Sequence, residues 1–243
     1  MQRNSKDSLG DRIKTNYEGP ACHYLTRRLP VIVRLDGRAF HTFTANMVKP
    51  FDQHLIDAMI VAAYHVFGEM QGCKLAYIQS DEASFVMTDF DTLETEPWFG
   101  YRQSKVESVS ASLMTAAFAR AMRLAGVREL ATFDARAFNI PADEVANYFV
   151  WRAKDWARNS LSMYAQANFS HADLQGKKCK DMHNMLHDLG KNWTLDLSDA
   201  ERNGTFIYNG DRLTDTSDIV PTFKSISALW QKVKPKETSE ETP

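Results

Sequence analysis

The chain has 243 residues, 44% of them hydrophobic and 25% charged, with a formal net charge of −2. That length can bury a full core, and the near-neutral charge excludes a protein whose whole surface is built for nucleic acid, so a polynucleotide partner needs a local basic surface. No run of about 18 apolar residues is available to cross a membrane, and Cys22, Cys73 and Cys179 form neither a disulfide framework nor a CxxC pair, so they read as reduced thiols.

Residues 1–16 are polar and read as a flexible lead. The start lacks the apolar core of a signal peptide, which predicts a cytoplasmic protein. Pro30-Val31-Ile32-Val33-Arg34-Leu35 is a β-branched apolar run leading into Asp36-Gly37, a buried strand with a carboxylate at its tip and a glycine for the turn. Asp52 caps a helix to about residue 70, with Leu55, Met59, Ala62, Ala63 and Val66 as its apolar stripe. Residues 75–87 read as two short strands joined through Ser80-Asp81-Glu82, followed by a solvated acidic loop. A second helix spans 102 to about 125 and stops at Gly126; a strand over 130–138 follows. Pro141 then opens a long helix whose Asp143 and Glu144 suit the positive end of its dipole; it reaches 169 or breaks near Asn159-Ser160.

The order strand, helix, hairpin, helix, strand, helix predicts an α+β fold: a ferredoxin-like antiparallel sheet over 17–140, with helices packed on one face. A C-terminal part over 141–230, helical with a hairpin at Asn209-Gly210, belongs to the same unit, and a polar, Pro-containing tail over 231–243 reads as disordered.

If the two strand ends lie side by side, Asp36 and Asp81 converge. Paired carboxylates with a free carbonyl, here that of Gly37, are hard oxygen ligands suited to Mg²⁺, as in two-metal phosphoryl or nucleotidyl transfer. Each stretch alone is an ordinary turn; their combination carries the argument. Arg38, Ala39, Phe40 and His41 can curl so that backbone N–H groups face a triphosphate. Lys49, Arg38, Arg102 and Lys105 offer positive charge around it. Asp134 is a possible third carboxylate, with pairing to Arg136 the plainer role. On the long helix Arg152, Lys154 and Arg158, with Asn159, are candidates for RNA contact. Cys179, His183 and His187 recur at helical spacing, but lack a fourth zinc ligand, and read as structural.

Across most of the chain these residues resemble the tRNA-histidine guanylyltransferase family, which extends the 5′ end of tRNA in the 3′-to-5′ direction. The resemblance rests on Arg34-Leu35-Asp36-Gly37-Arg38-Ala39-Phe40-His41, Lys49-Pro50, Gln79-Ser80-Asp81-Glu82, Ser104-Lys105, Phe133-Asp134-Ala135-Arg136 and Trp151-Arg152 followed by Asp155. It implies a polymerase-palm fold, two Mg²⁺ ions held by Asp36, Gly37 and Asp81, and nucleotide contacts from residues 36–41, Ser80 and Asp81. The implied substrates are tRNA and GTP, ATP or other NTPs, handled by a homotetramer. A 5′-monophosphorylated end is activated by an NTP and then attacked by the 3′-hydroxyl of the incoming one. Where eukaryotic members carry His-Ile-Asn-Asn-Leu-Tyr-Asn, this chain has Arg158-Asn159-Ser160-Leu161-Ser162-Met163-Tyr164. That places it nearer the bacterial, archaeal and phage-type branch associated with tRNA 5′-end repair. The alternatives are a cyclase-like enzyme on the same palm, and an RNA-binding protein without catalysis, against which the intact Asp36 and Asp81 argue.

Overall fold

The structure, a computed structural model, describes residues 8–209, 213–215 and 221–236. In chain order they form α1 (Leu9–Ile13), β1 (Val31–Arg38), α2 (Phe40–Phe43), α3 (Gln53–Glu69), β2 (Cys73–Gln79), β3 (Glu82–Met87), α4 (Gln103–Leu124) and β4 (Thr132–Asn139). There follow α5 (Val145–Gln166), α6 (His171–Leu174), α7 (Cys179–Asp188), α8 (Trp193–Asp196), α9 (Asp199–Asn203), β5 (Thr205–Asn209), β6 (Leu213–Asp215) and α10 (Phe223–Val233). Among these residues one sheet is formed, in the order β4-β1-β3-β2-β5-β6. Every neighbouring pair is antiparallel.

The first four strands have the ferredoxin-like order, and their two crossover helices pack on one face. Val31, Val33 and Leu35 of β1 point to that side, into a core with Met59 and Val66 of α3 and Val106 and Phe118 of α4. The opposite side is covered by the C-terminal part. Ile32, Leu75, Tyr77 and Val86 pack there against Val145, Phe149 and Ala153 of α5 and Ile226 and Trp230 of α10. A third cluster, with Leu161, Tyr164, Leu186 and Leu197, ties the far half of α5 to the short helices. Cys179 packs beside this cluster, and the His183 ring sits edge-on to Trp193 at 5.9 Å between centroids.

Two boundaries differ from the sequence reading, and one choice that it left open is decided. Part of the lead is helical, because the Ser8 side chain accepts the Asp11 N–H and caps α1. α5 runs through Asn159-Ser160 without a break. The Ser160 hydroxyl is used outside the helix, donating to the Glu201 carbonyl at 2.7 Å and accepting from Trp193 Nε1, so it does not compete for the helix's own backbone. α10 extends to Val233, inside the span read as tail; residues 237–243 lie outside the described residues. So does Gly210 of the proposed turn, although β5 and β6 on either side of it do pair. Among the described residues no helix is long and apolar enough to cross a membrane.

On the α5 side each central strand changes character along its length. β1 runs Ile32, Arg34, Asp36; β3 runs back through Val86, Ser84, Glu82; β2 runs Leu75, Tyr77, Gln79. Because side chains alternate with a period of two, these residues share one face, and one end of that face is charged.

The other end of the hairpin is sterically fixed. Gly72 has φ +77, and a Cβ there would lie 2.2 Å from the Thr88 carbonyl oxygen. Gly72→Ala should cost roughly 1–3 kcal/mol from backbone strain alone, read as a lowered urea midpoint. Gly68→Ala in α3, with nothing within 4 Å of the added methyl, is the control and should not destabilise.

Candidate active site

β1 ends beside the β2–β3 turn. Asp36 pairs in register with Glu82 on one side and Asp134 on the other, and the Gly37 N–H donates to the Asp81 carbonyl at 3.0 Å. The two candidate carboxylates are therefore brought together by backbone pairing. Two non-glycine residues close to them in sequence lie in the left-handed region: Ser80, next to Asp81, at φ 48, and Ala39, three residues after Asp36, at φ 56. Such conformations persist only where the surroundings over-determine them. A Cβ on Gly37 would meet the Phe40 ring at 2.3 Å, a reason for glycine that does not depend on an approaching ion. Phe40 in turn packs on Phe43, Phe118 and Phe133.

Behind the carboxylates lies a buried ion-pair network. Arg152 on α5 donates from Nε and Nη2 to the two oxygens of Glu82, both at 2.7 Å. Arg34 Nη2 donates to Asp36 at 3.0 Å, and Arg34 Nε lies 3.1 Å from Glu82 in an ion pair without a hydrogen bond, so among the described residues Nε has no hydrogen-bond partner. Asp155 takes Arg152 at 3.3 Å and also pairs with Arg158. Among the described residues Asp81 has no ion pair. Burial pushes its carboxyl pKa up, and the charge of Asp36 adds to this, against the lowering effect of hydrogen bonds from its own backbone N–H and from Ser80.

Two adjoining cavities meet at this point. One, of about 350 Å³, is mainly apolar, with Phe40, Met47, Phe51, Met59 and Ile78 in its wall, and His41 and Lys49 at its edge. The other, of about 340 Å³, holds Asp36, Glu82, Arg152, Asn159 and Gln166. They share Gln79, Ser80, Asp81, Trp156 and Met163. Two buried atoms of that shared wall, Gln79 Oε1 and Trp156 Nε1, have no hydrogen-bond partner among the described residues.

The structure brings together Asp36, Gly37, Ala39, Phe40, His41, Lys49, Ser80 and Asp81. Lys49 Nζ donates to the Thr44 carbonyl at 2.9 Å. Arg38 is exposed opposite Thr132 and lines neither cavity. Lys105 is set apart. Thr115 of α4 reaches the Phe133 N–H near the site, whereas Glu107 and Gln103 reach Ala137, so Lys105 stands about 15 Å back along the helix at 1.5 Å per residue. Arg152 is not an RNA-facing cation but the buried partner of Glu82, its side chain 8% exposed. Lys154 and Arg158 flank a separate cavity on α5. Asp134 lies on the Asp36 face and forms no ion pair with Arg136 among the described residues. Sequence reasoning missed Glu82, Arg34 and Trp156; the period-two alternation from Asp36 back to Arg34 was the available signal.

Among the described residues no cluster of three His, Cys, Asp or Glu side chains forms a cation site. Two carboxylates and a backbone carbonyl nevertheless fit Mg²⁺, which is bound through one or two carboxylates and keeps water or phosphate oxygens in its other positions. The burial of the Asp81 carboxylate, together with the nearby charge of Asp36, is the local feature that a cation would offset.

A ferredoxin-like antiparallel sheet carrying two acidic residues where its central strands meet defines a palm-like domain. The chain belongs to the tRNA(His) guanylyltransferase family, whose sequence model matches residues 11–141. Similar proteins include the probable tRNA(His) guanylyltransferase of Dictyostelium discoideum, 35% identical over 144 residues, 56% of this chain and 54% of that protein. The tRNA(His) guanylyltransferase of Schizosaccharomyces pombe is also 35% identical, over 146 residues, with the same shares. The chain spans about half the length of these curated relatives. A bacterial tRNA(His) guanylyltransferase-like protein solved in complex with ATP superimposes with a TM-score of 0.88 at 43% identity, covering 93% of this chain and 99% of that one. The Saccharomyces cerevisiae enzyme, at 19% identity and a TM-score of 0.72, shares the fold.

Two outcomes test the site. Because the native state holds the Asp81 proton more tightly than the unfolded chain does, the stabilisation is complete below the ordinary carboxylate pKa and is lost as pH rises through the raised native value. In metal-free buffer Asp81→Asn should therefore melt above the wild type at neutral pH, with the gap closing toward about pH 4; Mg²⁺ should raise the wild-type melting temperature but not the variant's. Arg152→Met should destabilise by about 3–5 kcal/mol, since it leaves the Glu82 charge buried and alone, and adding Glu82→Gln should recover much of that loss in urea unfolding.

Proposed function

We propose that the protein is a metal-dependent 3′-to-5′ nucleotidyltransferase that adds GTP or other NTPs to the 5′ end of tRNA, acting in repair of truncated ends. The observation that carries this reading is Asp81 in the wall common to two adjoining cavities, with Asp36 beside it in the wall of the more polar one. The likeness to a bacterial family member bound to ATP supports the choice of ligand. Asp36, Asp81 and the Gly37 carbonyl are the groups that would hold Mg²⁺, two ions in the expected scheme. When bound, Mg²⁺ lowers the pKa of an attacking hydroxyl and neutralises charge on the phosphates.

The chain's own residues supply position. The apolar cavity accepts a nucleobase with its phosphates toward His41, Lys49 and Ser80. The second cavity, with Asp36 and Asn159, receives the RNA end. Attack by the 3′-hydroxyl of the bound NTP on the activated 5′ phosphorus forms the new phosphodiester bond and releases the activating nucleotide as its monophosphate. The sequence Arg158 to Tyr164 in place of the eukaryotic motif favours substrates beyond histidine tRNA. A cytoplasmic homotetramer belongs to the same reading and rests on the family resemblance.

The test is nucleotide addition to tRNAs lacking a 5′ nucleotide, with the opposing base varied among all four. The added nucleotide should follow that base by Watson–Crick pairing, and Asp36→Ala and Asp81→Ala should each reduce addition to background. Addition of guanosine alone, only to histidine tRNA, would refute repair. NTP turnover that needs no RNA would favour a cyclase-like enzyme instead.

A further inference from the structure

Trp151 stands out on α5. It is 53% exposed, although a residue of its size normally gains by burial. Its ring is held from behind: the Arg152 guanidinium lies 4.5 Å from the ring centroid, and Tyr148 meets it edge-on at 5.8 Å. Arg152 is itself fixed by its two bonds to Glu82, the residue next to Asp81. The indole is thus a rigid plate whose position is tied to the acidic turn.

The ring forms one wall of a cavity of about 400 Å³, lined also by Asn147, Val150, Lys154, Asp155 and Arg158. The Arg158 side chain is 65% exposed while paired with Asp155, and Lys154 has no carboxylate partner among the described residues. An open aromatic plate with two cations beside it is the combination that binds single-stranded nucleic acid, bases stacking on the ring while phosphates meet the charges. The groove flanks the face of α5 that bears Arg152, Asn159 and Met163, which line the cavity of Asp36. On a helix the two faces are about 100° apart.

We infer that Trp151 is a stacking platform for an unpaired nucleobase of the RNA, the first one beyond the paired stem, with Lys154 and Arg158 holding its phosphates. This deepens the proposed function and depends on it for the identity of the partner. A guanidinium, indole and base sandwich would hold the strand opposite the growing end in register with the metal-binding turn.

The experiment measures binding rather than turnover, so that it can fail separately from the nucleotidyltransfer reading. RNA stems are compared with and without a single-stranded 3′ overhang carrying 2-aminopurine next to the stem. The wild type should quench the probe on binding. Trp151→Ala should lose affinity for overhang RNA roughly 5- to 150-fold, the range for one stacked base, and should bind blunt stems and NTP unchanged. Trp151→Phe should restore most of the affinity. Lys154→Ala should lower the slope of log affinity against log salt by about 1. A Trp151→Ala variant that binds overhang RNA as tightly as the wild type does, or wild-type binding that leaves the probe fluorescence unchanged, would overturn the proposal. So would a change in oligomeric mass in Trp151→Ala together with poor access of acrylamide to Trp151 in the RNA-free protein, which would place the ring between copies of the chain.

Discussion

The site depends on one interaction, the buried pairing of Glu82 with Arg152 across 70 residues of sequence. It joins the β2–β3 turn to α5, and so joins the ferredoxin-like half to the C-terminal half at the position where the carboxylates lie. Burying two such charges costs several kcal/mol, and a bidentate geometry with every lone pair occupied is what offsets the loss. Here Gln79 and Ser84 add further donors to Glu82 at 3.3 Å each, and Arg34 approaches its second oxygen. Replacing such a pair by apolar residues is often neutral for stability. Its value in this fold is positional: with Glu82 immobilised, Ser80 can be held in its left-handed conformation and Asp81 cannot swing away from Asp36.

The apolar core and the charged tip make opposite demands on the same strands. Ile32, Val86 and Leu75 are fully buried beneath α5 and α10, where removal from water stabilises at about 25 cal/mol per Å². Two residues further along each strand the side chains are Arg34, Ser84 and Tyr77, and the hydroxyls begin to pair, as in the 2.8 Å contact between Ser84 and Tyr148. Two residues further again stand Asp36, Glu82 and Gln79. The anchored apolar end makes the repulsive tip tolerable, and Asp81, held without an ion-pair partner among the described residues, is a site of stored electrostatic strain of the sort that clusters at functional positions.

How far this was readable from the sequence depended on range. The strand into Asp36-Gly37, the Asp52 cap and the stripe of α3 are local patterns, and all three stand in the fold. Asp36 and Asp81 could be paired because a four-strand order fixes which strand ends meet. Arg152 could not be read in the same way: on a helix next to Lys154 and Arg158 it has the signature of a solvated cation, and only the tertiary packing of α5 on β3 identifies its partner. The position of Lys105 was unreadable for a related reason, since charge and spacing do not say how far along the sheet a helix begins. Gly37 illustrates a third limit. A glycine before a turn suggested room for an ion, whereas the contact that demands it is Phe40, three residues on.

The two carboxylates are not equivalent in this arrangement. Asp81 lies in the wall common to both cavities, whereas Asp36 lines only the more polar one. The proposed joining of a nucleotide to an RNA end needs two binding volumes that open onto one reacting centre, and the group between them must face both. The turn geometry provides this: with its carbonyl bonded to Gly37 and its side chain half-buried, Asp81 lines both volumes, and Asp36 approaches from the strand end on one side. The same asymmetry accounts for the burdens each carries, because Asp36 keeps Arg34 as a counter-charge while Asp81, which shares its wall with Gln79 and Trp156, has no cationic side chain paired with it among the described residues.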